Sequence, residues 1–143
     1  MMTESSFDVG FGRALGVFAV ALLIFLLLDL VWLGVVAKNL YRQQLGHLLS
    51  PNVNWPAAVL FYLVFIAGVV FFVIRPALES GNATRALTHG ALFGFIAYAT
   101  YDLTNHATMR DWPALVTVVD LAWGAVLTAA VAYLTWQVST RVL

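Results

Sequence analysis

The sequence predicts an all-α integral membrane bundle: one domain, residues 1–143, built from four transmembrane helices. Three observations predict it. Hydrophobic residues make up 62% of the 143 positions and charged residues 10%, whereas a soluble domain carries about 25% charge. Mean hydropathy is +0.91, so lipid rather than water must solvate most of the surface. Four unbroken apolar runs also approach the roughly 20 residues that cross a bilayer core. Their length excludes the short alternating strands of a barrel, and in lipid a helix satisfies its own backbone.

The N-terminal stretch MMTESSFDVGFGR lacks the basic n-region of a cleavable signal, and no small-residue cleavage site follows the long apolar run after it. The first span, about 14–37, is therefore expected to stay as an anchor. The second, about 57–74, should end before Pro76, because proline lacks an N–H and disfavours helix in the residue before it. The third runs over about 85–103. The fourth, about 112–136, has Asp111 as an N-cap and tolerates Pro113 in its first turn. Between the first two spans, Leu40, Tyr41, Leu45, Leu48 and Leu49 recur near helical spacing among polar residues. That pattern fits either a short interfacial helix or a loop with a few apolar contacts. Trp55 and Trp112 fall where aromatic belts sit. Gly90 and Gly94 form a GxxxG pair, a close-packing face that could also join two chains into a homodimer.

Charge limits the function classes. Seven basic and seven acidic residues balance, and no basic run points to nucleic acid. Without cysteine, disulfides and thiolate metal ligands are excluded. No P-loop, dinucleotide fingerprint or activated nucleophile is visible, and no cofactor or metal motif is recognised. Membrane lipids are the partner that the composition requires. Four spans put both termini on one side with Arg13, Arg75, Arg85 and Arg141, and Lys38, Arg42 and Arg110 on the other. Four against three leans toward cytoplasmic termini.

The informative residues are carboxyls inside the spans. Asp29 and Asp120 each lie about 12 Å, at 1.5 Å per residue, from the span ends at Ala37 and Trp112. Those ends share a side with Asp102, at the end of the third span. Three carboxyls from three helices thus converge in one half of the bilayer. An Asp near the centre of a membrane helix costs about 2.5–3.5 kcal/mol and nearly always faces the protein interior or a cavity. If the three cluster, at least one should hold a proton, which makes a donor–acceptor pair of two Asp residues. Helical spacing supplies neighbours. Trp32 belongs to the Asp29 face, and Thr117, Trp123 and Gly124 to the Asp120 face. Tyr98, Asn105 and His106 accompany Asp102, with Tyr101 flanking.

This constellation supports three functional readings. The first is a pocket for an apolar or amphiphilic small molecule (a lipid, isoprenoid or pigment), with Asp29, Asp102 and Asp120 as candidate acid–base catalysts. Trp32, Tyr98, Tyr101, Asn105, His106, Thr117 and Trp123 would bind the ligand. The second is a structural or accessory membrane protein whose Asp, Tyr and Trp residues only tie helices together; interhelical hydrogen bonds of that kind average about 0.6 kcal/mol. The third is a small proton-coupled transporter acting as a dimer.

Three blocks, DLVWLGVVAKNLYRQQLGHLL, YDLTNHATMRDWP and VTVVDLAWG, carry a resemblance over essentially the whole chain. It is to the small bacterial membrane proteins grouped as domain of unknown function 2177. The resemblance implies a four-span protein of the bacterial cytoplasmic membrane. It implies no activity.

Overall fold

A computed structural model describes the backbone of residues 4–143 and the side chains of residues 10–143. Among the described residues the chain is helical, with no strand: four long helices and one short one. Helix α1 runs over Glu4–Val31 and continues as a π turn, Trp32–Val36. Helix α2 is Lys38–Leu45, α3 is Trp55–Ser80, α4 is Ala83–Thr108 and α5 is Ala114–Val142. Three stretches of the described residues are long and apolar enough to cross a membrane: Gly10–Val36, Trp55–Ser80 and Ala114–Val142. Helix α4 is as long as α3, at 26 residues, but is polar at both ends. Large apolar side chains, among them Leu23, Leu27, Leu60, Val64, Phe72, Leu92 and Val126, stand exposed around the long helices. A helix that is apolar on its outer face fits lipid.

Local chemistry explains the boundaries. Asn54 and Asn82 cap α3 and α4, each side chain accepting a backbone N–H three residues on, at 3.2 Å. Gly81, at φ 62°, ends α3 in the left-handed conformation that glycine adopts without strain. Helix α3 does not stop before Pro76. A π turn at Val70–Ile74 carries the chain into Arg75–Ser80. The wider turn absorbs the missing N–H and the ring's conflict with the preceding turn. Helix α4 runs past residue 103 to Thr108, so Asn105 and His106 are helical. Asp111 is not a cap: its φ is +55°, and Pro113 occupies the N-cap of α5 with no side-chain bond. Asp111 instead takes the left-handed turn position that Asp and Asn tolerate better than most residues.

Helix α5 is the centre of the packing and pairs most extensively with α4. The two are antiparallel. A Cβ built on Gly90 would lie 2.9 Å from the Thr128 carbonyl and 3.1 Å from the Ala132 side chain, and one on Gly94 would strike the Gly124 carbonyl. The close approach offered by the GxxxG pair is thus used within the chain; a homodimer through the same glycines would have to share this face with α5. Helix α1 is also antiparallel to α5: Gly16 lies beside Leu143, and Trp32 beside Trp123. Helix α3 closes the core through Phe65, Ile66, Val69, Val73 and Ile74, packed with Phe25 of α1 and Leu127 and Val131 of α5. The Trp136 indole donates to the Ala77 carbonyl at 3.2 Å.

Candidate functional site: a carboxyl pair under an aromatic cleft

The antiparallel pairing of α4 and α5 sets the site. With Gly94 against Gly124, Tyr98 lies on the Gly124 backbone, and one turn later Asp102 comes level with Asp120. Asp102 is fully buried. Neither of its oxygens meets a donor; the Asp120 carboxyl lies within hydrogen-bonding reach. Two carboxyls form a hydrogen bond when one of them carries a proton. Asp120 is 8% exposed and accepts a short hydrogen bond from the Tyr41 hydroxyl. That hydroxyl in turn accepts from Trp32 Nε1 at 3.0 Å. Burial, then the Asp120 carboxyl, push the Tyr41 phenol above its ordinary range, so it remains a donor.

Asp29 stands slightly apart. It is half-buried and accepts from Trp123 Nε1 at 3.4 Å. The Trp123 ring stacks on Trp32 with centroids 4.2 Å apart and planes 9° from parallel. This indole pair links the two carboxyl sites: Trp123 donates to Asp29 and Trp32 to the Tyr41 hydroxyl that bonds Asp120.

Above the carboxyls a cleft of about 330 Å³ is lined by Phe61, Phe65, Ala97, Tyr98, Tyr101 and Asp120. Its walls come from α3 and α4, and its single carboxyl from α5. Phe61 and Tyr101 are 51% and 61% exposed, so the cleft opens sideways between α3 and α4 on the apolar surface. At that volume it falls at the lower end of small-molecule sites, about 300–1,000 Å³, and has their usual make-up of apolar walls with few polar groups.

The sequence-predicted residues divide into three groups. Asp120, Tyr98 and Tyr101 line the cleft, and Asp102 lies buried against Asp120. Asp29, Trp32 and Trp123 form the adjoining layer. Thr117, Asn105 and His106 lie further along toward the α4–α5 turn. His106 is exposed and faces Thr117, with Nδ1 3.3 Å from its hydroxyl. It therefore does not point inward to the carboxyls. Thr117 is buried and accepts from Trp112 Nε1 at 3.0 Å. Trp112 is no belt residue either: 8% exposed, it packs with Leu45 and Val116, while Trp55 is 66% exposed. No group of three His, Asp or Glu side chains among the described residues is arranged to hold a metal ion.

Sequence reasoning passed over Tyr41 as a site residue. The loop after α1 does form a helix, and on it Tyr41 reaches Asp120, 79 positions away. The signal was present: a Tyr four residues before Leu45 on the apolar stripe of an amphipathic helix.

The chain belongs to the family described as predicted membrane protein, domain of unknown function 2177, whose model matches residues 14–137. No curated protein matches the sequence. No solved structure matches it.

Proposed function

For this member of a membrane-protein family, we propose a binding site for an apolar or amphiphilic small molecule, entered from the bilayer between α3 and α4. The observation that carries the reading is the aromatic cleft with the Asp102–Asp120 pair at its base. A carboxyl pair sharing a proton offers one donor and one acceptor to a bound polar group, the requirement for acid–base work. The bilayer supplies the apolar part of such a ligand at high local concentration, and a lateral mouth admits it without passage through water.

In this reading α4 also crosses the membrane. Its support is a length equal to that of α3 and its antiparallel run along α5. The protein then spans the bacterial cytoplasmic membrane four times with cytoplasmic termini, as the family resemblance and the arginine bias suggest. Single cysteines introduced at positions 80 and 106 of this cysteine-free chain should label from opposite sides. Labelling from one side removes the fourth span.

The test of function is mass spectrometry of lipids and pigments that co-purify with the full chain. One amphiphile should be enriched with wild type and lost with Ala97→Phe, which fills the cleft. One observation favours the structural alternative: the bonds Trp32–Tyr41–Asp120 and Trp123–Asp29 tie α1, α2 and α5 together. In that case nothing is enriched, and Asp29→Asn and Asp120→Asn only lower thermal stability in detergent.

A further inference from the structure

Among the described residues no cation faces the carboxyls under the cleft. All seven Lys and Arg side chains are exposed, and the one ion pair among the described residues, Arg75–Glu79 at 2.8 Å, stands at the far end of α3. Asp102 is fully buried with neither oxygen meeting a donor, and among the described residues its polar neighbour within reach is Asp120. Asp120 has the Tyr41 hydroxyl and no positive group. With a single proton shared between Asp102 and Asp120, the pair carries one negative charge, which a cation in the cleft would balance. Buried charge is ordinarily paired or neutralised. The walls add to the same preference, because Phe61, Phe65, Tyr98 and Tyr101 present ring systems whose negative faces attract cations. An anionic ligand would meet a carboxyl and aromatic rings, with no basic side chain to hold it.

We propose that the cleft takes an organic cation with an apolar body, such as a lipophilic amine or quaternary ammonium compound. Its charge lies at Asp120 among the aromatic rings, and its body extends toward lipid between α3 and α4. This rests on the reading of the cleft as a ligand site and names the class of ligand.

The experiment uses the full chain in lipid nanodiscs. Tetraphenylphosphonium and the uncharged triphenylphosphine oxide are measured by equilibrium dialysis, with empty nanodiscs subtracted. The cation should bind about tenfold or more tightly than the oxide, the ratio expected of a desolvated cation–π contact alone. Asp120→Asn, nearly isosteric, should weaken cation binding severalfold, down to what the rings alone supply, and leave the oxide unchanged, while Ala97→Phe should abolish both. If Asp120→Asn does not fold, the wild-type charge preference decides. Equal binding of both probes, with both lost in Ala97→Phe, keeps the cleft and overturns the cation. A preference undiminished by Asp120→Asn overturns the role of Asp120. No binding of either probe above empty nanodiscs overturns the ligand site itself, and the cation with it.

Discussion

The α4–α5 pair has two unlike halves. In one, Gly90 and Gly94 bring backbone against backbone at Gly124, Thr128 and Ala132. In the other, Tyr98 and Tyr101 line a cleft with Asp120, and Asp102 lies buried against Asp120 beside it. One half gives up side chains for close approach, and the other gives up close packing for polar atoms and space. The halves depend on each other. Two carboxyls on separate helices stay in register only if the helices cannot slide, and the glycine contacts are what prevent sliding. A membrane protein can therefore hold an expensive polar pair at a fixed place by making the adjoining interface tight.

Breaking the tight half should have the largest effect. Gly94→Val adds bulk against the Gly124 carbonyl and the Thr128 side chain, both held by the helix. Overpacking of this kind costs about 1–3 kcal/mol and occasionally more. Gly94→Val should reach the upper end of that range or fail to fold, as read by unfolding in a detergent titration. Unchanged stability would mean that the halves are not coupled.

A middle effect is expected at Tyr41→Phe. It removes the donor to Asp120 and the acceptor of the Trp32 indole. Leaving buried polar groups unpaired costs about 1–3 kcal/mol, and the half-buried position of Tyr41 favours the lower part. The Trp32 fluorescence environment should change with it, which a purely global loss of stability would not produce.

The smallest effect sharpens the contrast. Ala97→Phe puts a large side chain into the open half, and because Ala97 lines a cleft of about 330 Å³, stability should move by no more than about 0.5 kcal/mol. A loss as large as that of Gly94→Val would mean that the cleft is packed in the membrane, and the comparison would fail.

Sequence reading reached far where the α-helical period holds and stopped where it breaks. Counting places Thr117, Trp123 and Gly124 on the Asp120 face; Thr117 and Gly124 are buried there and Trp123 reaches Asp29. Counting on from Asp29 along an α-helix puts Leu33 and Val36 on its face as well, yet they are 44% and 65% exposed. The π turn at Trp32–Val36 shifts the register there, and no residue type announces such a turn. The boundary at Pro76 was misread for the same reason.

The sequence by itself determined the class of protein, since apolarity on this scale leaves lipid as the only solvent. It also led to the expectation of carboxyls at a common depth, which follows from rise per residue if four helices span the bilayer. The tertiary structure alone decided which carboxyls meet, that Tyr41 rather than His106 joins them, and that a cleft opens beside them. Those outcomes depend on the rotation and register of one helix against another, set by contacts such as Gly94 on Gly124 that couple residues far apart in the chain.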